Sequence, residues 1–147
     1  MSTLLLALAL AAHAEPAPVA RDVHDLACSV SVTALDSRGR ERSPSRVSAG
    51  RVPALVFRGR ASARAGDTPL LFDVFNPRGQ RYQVLVAVPP ADLDARPLRR
   101  VPVSEARLAV AGSSITWTSM YGLWRVVPRL EGEDRPCGAS QAFTIGP

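Results

Sequence analysis

Residues 71–88 read LFDVFNPRGQRYQVLVAV, two apolar runs around Asn76-Pro77-Arg78-Gly79. Proline fixes φ near the value that the second position of a turn needs. Glycine two residues later can adopt φ > 0 and close the turn into a returning strand. The stretch therefore reads as a β-hairpin. On its returning arm a period of two sets Tyr82, Val84, Val86 and Val88 toward the core, against Arg81, Gln83 and Ala87. Asp73, among apolar neighbours on the outgoing arm, is expected to face solvent.

The same alternation extends in both directions. Leu26, Cys28, Val30 and Val32 fall on one face of an earlier strand, with Ser29, Ser31 and Thr33 on the other. Asp36-Ser37-Arg38-Gly39 marks a turn, and the polar stretch to Arg51 reads as a loop or a ragged edge strand. From Ala54 to Arg64, Leu55, Phe57, Ala61 and Ala63 point one way, and Val56, Arg58, Arg60, Ser62 and Arg64 the other. Pro89 to Ala106 is irregular, with room for a turn of helix at Pro90-Ala91-Asp92-Leu93, and Arg107 to Ala111 fits a short strand. Near the end Trp124, Val126, Pro128 and Leu130 share a face, and Phe143 and Ile145 repeat the pattern. Pro128 places its strand at a sheet edge or at a bulge, because proline donates no ladder hydrogen bond.

The first residues, MSTLLLALALAAHAEP, have the form of a secretory signal peptide. An uninterrupted apolar run from Leu4 to Ala12 is too short to span a bilayer, and Ala12-His13-Ala14 supplies small residues for cleavage after Ala14. The expected organisation is a signal peptide at 1–14, an extended Pro- and Ala-rich lead-in at 15–25, and one domain at 26–147. Residues 26–147 are enough to bury a real core. This implies a periplasmic or secreted protein with no transmembrane segment. An exported chain with two cysteines, Cys28 and Cys137, is expected to join them in one disulfide. Closing a loop of roughly 100 residues stabilises a fold by about 4–5 kcal/mol in the chain-entropy model. Lipidation at Cys28 is the competing reading of Leu26-Ala27-Cys28-Ser29. Asp25 stands where such a cleavage box has an aliphatic residue, and Cys137 would lose its partner.

All 18 basic residues are Arg, and the net charge is +5. That excess sits in one block: from Arg38 to Arg64 there are eight Arg against Glu41 alone. On a strand of period two, Arg58, Arg60 and Arg64 share a face, with alternate residues about 6.5–7 Å apart. Arg51 lies on the adjoining loop with Arg38, Arg40, Arg42 and Arg46. Arg58, Arg60, Arg64 and Arg51 are the candidate anion-binding residues, since guanidinium groups hold carboxylates and phosphates bidentately. The competing reading is a charged edge that blocks strand-to-strand aggregation. Outside the cytoplasm the fitting partners are an envelope protein, acidic glycans or lipid head groups. Nucleic acid does not fit, because no exposed aromatics interleave with the stripe. Trp117, in a loop, is the candidate ligand-contact aromatic, whereas Trp124 reads as core.

Residues for chemistry are scarce. After cleavage the one remaining histidine is His24, in the lead-in between Asp22 and Asp25. One histidine and two distant cysteines do not make a zinc site, which takes four ligands usually in close pairs. Glu131, Glu133 and Asp134 read as a solvated acidic hairpin tip more readily than as a calcium site. The ten glycines sit singly at turns, so there is no phosphate-binding loop. No catalytic residue, metal or cofactor is assigned, and the chain is not read as an enzyme. A hydrolase would require a serine placed against His24 by a rigid element.

About seven short strands with regular turn signals and no amphipathic helix indicate an all-β sandwich. The run Ser119-Met120-Tyr121-Gly122-Leu123-Trp124-Arg125-Val126, then Leu130-Glu131-Gly132 and Phe143-Thr144-Ile145, resembles the closing strands of immunoglobulin-like modules in bacterial secreted and envelope proteins. The resemblance implies an immunoglobulin-like antiparallel β-sandwich and carries no catalytic residues. Its cysteines depart from antibody-type domains, in which they flank a central Trp. The functional expectation is a non-enzymatic binding or accessory module of the envelope, and the alternative is a purely structural module whose Arg residues serve solubility.

Overall fold

The computed structural model describes residues 28–44, 46–62, 65–88 and 103–147. The signal peptide, the lead-in with His24, Arg64 and the helical turn expected at Pro90–Leu93 lie outside the described residues. In chain order the elements are β1 (Cys28–Leu35), β2 (Glu41–Arg42), β3 (Val47–Ser48), β4 (Ala54–Ala61) and β5 (Leu70–Phe75), then β6 (Arg81–Val86), β7 (Ser104–Ala109), α1 (Ser114–Trp117), β8 (Gly122–Leu130) and β9 (Gln141–Gly146). One sheet has the order β2-β1-β4-β7 and the other β3-β9-β8-β5-β6. Only β3 and β9 run parallel; the other neighbours are antiparallel. The opening strands thus feed both sheets, β1 joining the first and β3 closing the far side of the second. The fold is an immunoglobulin-like β-sandwich.

Two hairpins use one device. Asp36 Oδ1 accepts hydrogen bonds from the amides of Arg38 and Arg40, each 2.9 Å, while Gly39 turns at φ 71°. Asn76 Oδ1 does the same for Arg78 and Gln80, each 3.0 Å, with Gly79 at φ 75°. A short acceptor side chain that bonds its own backbone two and four residues on holds the chain in the turn. The turn inferred at Asn76-Pro77-Arg78-Gly79 is therefore present.

The core fills between the sheets. Trp124, Phe57 and Phe72 are fully buried and Phe143 nearly so. Trp124 stacks on Phe143 at 6.4 Å and meets the edge of Tyr82 at 5.2 Å, and its indole N–H donates to Met120 O. Gly59 leaves no room for a side chain: a Cβ there would lie 2.6 Å from Leu70 Cδ2 of the opposite sheet and 2.7 Å from Ser29 O of its own. Cys28 and Cys137 form the disulfide, with Cα atoms 5.2 Å apart. It ties the start of β1 to the loop between β8 and β9.

Three expectations are corrected. Val84, Val86 and Val88 point outward, 40%, 58% and 62% exposed, while Leu85 and Ala87 are buried. The cause is a bulge: Phe75 pairs with Arg81 but Val74 pairs with Gln83, so Tyr82 is the extra residue and alternation changes phase after it. Tyr82 alone of the expected inward set packs on the core. Asp73 is not solvated; it is buried against Arg129. Pro128 lies in a strand with neighbours on both sides, but β9 pairs with β8 only as far as Val126. Its missing N–H therefore costs no ladder bond, and its carbonyl accepts from Cys137 N at 3.0 Å.

Candidate functional site

The outer face of the five-stranded sheet is built in cross-strand rows. Arg125 of β8, Phe75 of β5 and Arg81 of β6 stand side by side, followed by Val127, Asp73 and Val84, and then Arg129, Leu71 and Val86. Strands lie about 4.8 Å apart, so the Arg125 and Arg81 backbones flank Phe75 at roughly 10 Å from one another. The Arg125 guanidinium lies 5.2 Å from the centre of the Phe75 ring, in reach of its negative face.

Asp73 and Arg129 anchor the middle of this face. Arg129 Nε donates to Asp73 Oδ2 at 2.8 Å and Nη2 to Oδ1 at 3.3 Å, while Nη1 donates to Glu133 O at 2.9 Å. The hydrogen bonds that Arg129 donates to Asp73, and then the charge of Asp73, push the Arg129 pKa up and hold the guanidinium charged. Both groups are thereby occupied. Arg81 and Arg125 have no carboxylate partner among the described residues. Beside them runs an open groove of about 640 Å³, lined by Phe75, Arg81 and Arg125 of the sheet and by Asp134, Pro136 and Gly138 of the loop after β8. The disulfide fixes that loop. Gly138 is required there, because a Cβ would fall 2.0 Å from Cys28 O.

The opposite outer face uses its arginines differently. Arg58 and Arg60 share that face, pairing with Ser31 and Ser29 of β1 as a period of two dictates. Arg58, however, is enclosed by carboxylates. It binds both oxygens of Glu41 through Nη1 and Nη2, and its Nε donates to Glu105 Oε2 at 3.1 Å. Arg107 adds a second cation to Glu105 at 3.1 Å. The hydrogen bonds to Glu41 raise the Arg58 pKa further, and the same contact holds the Glu41 carboxyl below its ordinary value. Arg60 is exposed without an ion pair among the described residues, and Arg51 is exposed in the turn after β3. The structure thus brings Arg58 and Arg60 together but leaves Arg58 neutralised; Arg64 lies outside the described residues.

Trp117 is 80% exposed at the end of α1, its indole N–H donating to Gly112 O at 3.1 Å, and it does not line the groove. Among the described residues no group of three His, Cys, Asp or Glu is placed to hold a metal, and no helix is long and apolar enough to cross a membrane.

The groove residues Arg81, Arg125 and Arg129 are separated in sequence and form no run. One signal for them was available. On β8 the residues between Trp124, Val126, Pro128 and Leu130 are Arg125, Val127 and Arg129, an alternating face that has to point away from the core.

No protein-family model matches the chain, and no curated protein does. Among solved structures it is similar to an immunoglobulin-like protein from Pseudomonas aeruginosa, with 19% identity, a TM-score of 0.47, and 80% of this chain and 91% of that one covered. The likeness is one of fold.

Proposed function

We propose that this chain is a non-enzymatic binding module of the bacterial envelope, exported to the periplasm or cell surface, that docks on an anionic partner. Its working surface is the groove on the outer face of the five-stranded sheet. One observation carries this reading: Arg81 and Arg125 flank Phe75 with no ion pair among the described residues, beside a groove whose far wall is pinned by a disulfide. A groove of about 640 Å³ is within the size range of ligand sites. Two guanidiniums on rigid neighbouring strands suit a carboxylate, sulfate or phosphate group. Arg60 and Arg51 would add to the general positive field. The signal peptide at 1–14, the lead-in at 15–25 and the single domain at 26–147 belong to this proposal.

The test is retention of the mature protein on immobilised heparin and on lipopolysaccharide-bearing vesicles across a salt series. Salt-sensitive retention that disappears in Arg81→Glu/Arg125→Glu, with folding intact, is the expected result. Negligible retention of the wild type on both surfaces would sink the proposal. A second reading, a structural module whose arginines serve solubility, is favoured by the carboxylates around Arg58. Indifference of retention to both substitutions would select it.

A further inference from the structure

The edge of β6 carries two features that belong together, one in its backbone and one in its side chains. Ala87 N–H donates to Leu70 O at 2.8 Å, which makes that pair a hydrogen-bonded one. In an antiparallel ladder the pairs alternate, so Val86 opposite Leu71 and Val84 opposite Asp73 are non-bonded pairs whose N–H and C=O groups point away from β5. Val88 confirms the direction. Its N–H and C=O both bond outward to Glu105 of β7, each at 2.9 Å. Beyond that bridge β7 turns to β4, and no described residue pairs with the outward edge from Arg81 to Val86.

The other sheet borders are blunted. β2 and β3 are two residues long, β2 is Glu41-Arg42, and β7 carries Glu105 and Arg107. Short, charged borders resist strand addition. β6 instead presents Val84 and Val86, both exposed, in line with Arg81 on the same face, and Val88 just beyond it is exposed as well. The bulge at Tyr82 creates this arrangement, since without the change of phase these valines would be buried.

We infer that the open edge of β6 receives an added strand from a partner protein, whose exposed face pairs a carboxylate with Arg81 and apolar side chains with Val84 and Val86. This inference rests on the binding reading above and names its partner. An added strand lies about 4.8 Å beyond β6, so a Glu or Asp opposite Arg81 faces one guanidinium directly, with the charge of Arg125 about 10 Å behind it. Main-chain bonds at Val84 and Val86 supply attachment, and the side-chain row supplies choice of partner, as in other strand-addition complexes. The valines distinguish this partner from an anionic glycan, which needs charge and hydroxyl contacts but no apolar stripe.

The probe is a displayed random heptapeptide library selected on the mature, disulfide-bonded protein. Enriched peptides are expected to combine an acidic residue with alternating β-branched or aromatic ones. Their binding should slow hydrogen exchange at the Val84 and Val86 amides. Val86→Pro removes one outward N–H without touching the bonds to β5, and should weaken binding at least 10-fold. Should that variant fold poorly, peptides N-methylated at alternate residues test the same bonds from the other side, with the same expected loss. No enrichment, or equal binding by Val86→Pro and by N-methylated peptides, overturns the inference. A dimer formed through this edge without peptide also overturns it, assigning the edge to a second copy. Heparin retention of the wild type against Arg81→Glu/Arg125→Glu is read in parallel. If retention follows those arginines while no peptide is enriched, only the strand inference fails.

Discussion

The two outer faces of this sandwich carry the same residue type to opposite effect. On the four-stranded sheet Arg58 is held by Glu41 and Glu105, and Arg107 closes the set from the far side. On the five-stranded sheet Asp73 is claimed by Arg129, and Asp134, the other acid lining the groove, also acts on Arg129, so Arg81 and Arg125 make no ion pair among the described residues. The densest run of arginine in the sequence, Arg38 to Arg64, is therefore not the stretch that sets two guanidiniums without an ion pair among the described residues on either side of one strand beside a groove. Cross-strand register, not linear density, decides which guanidinium is available. Glu105 reaches Arg58 across 47 residues and Glu41 across 17, distances at which a linear count has no purchase.

The contrast can be broken experimentally, beginning with the covalent link between the faces. Cys28→Ser/Cys137→Ser should lower stability by about 4 kcal/mol in urea unfolding, since the bond closes a loop spanning 109 residues. It should also loosen the Pro136–Gly138 wall, so anion retention should fall even where the variant is folded. Asp73→Ala comes next. Arg129 is only 17% exposed and would lose its bidentate partner, so a loss of about 3 kcal/mol is expected. A loss below about 1 kcal/mol would show that the pair is effectively solvated and the face less rigid than described.

The four-stranded face should respond less. Glu41 is 37% exposed, so Glu41→Gln should cost less than about 1 kcal/mol near neutral pH. Its pH dependence has a definite sign. Hydrogen bonding to Arg58 lowers the folded-state pKa of Glu41 below its ordinary 4.5. The stabilisation is therefore present above about pH 4.5 and lost as pH falls through the folded value. Asp36, lowered chiefly by the Arg40 amide, acts in the same direction. The gap between wild type and Glu41→Gln should close on acidification. A gap that widens would contradict the pairing. Arg81→Glu/Arg125→Glu should be comparably small, about 0.5–1 kcal/mol, since what is lost is an exposed contact of Arg125 with Phe75.

Local rules made much of the fold readable. Asn76-Pro77-Arg78-Gly79 names its own turn, and Trp124, Val126 and Leu130 alternate into the core as their spacing requires. The bulge was not readable, because nothing in Arg81-Tyr82-Gln83 marks the residue that drops out of the ladder. Missing it assigned Val84, Val86 and Val88 to the wrong face. Asp73 misled for a related reason: its burial depends on Arg129, 56 residues away. The groove was half readable, since alternation alone turns Arg125 and Arg129 outward, but only the register brings Arg81 level with Phe75 and Arg125.

The most direct measurement compares heparin retention across a salt series for the wild type, Arg81→Glu/Arg125→Glu, and Arg51→Glu/Arg60→Glu, all verified as folded. Each double variant changes the net charge equally, so a response to overall charge alone cannot distinguish them. Retention abolished by the first and only reduced by the second is the result expected if the five-stranded face is the binding face. Equal loss in both, or a greater loss in the second, would contradict it.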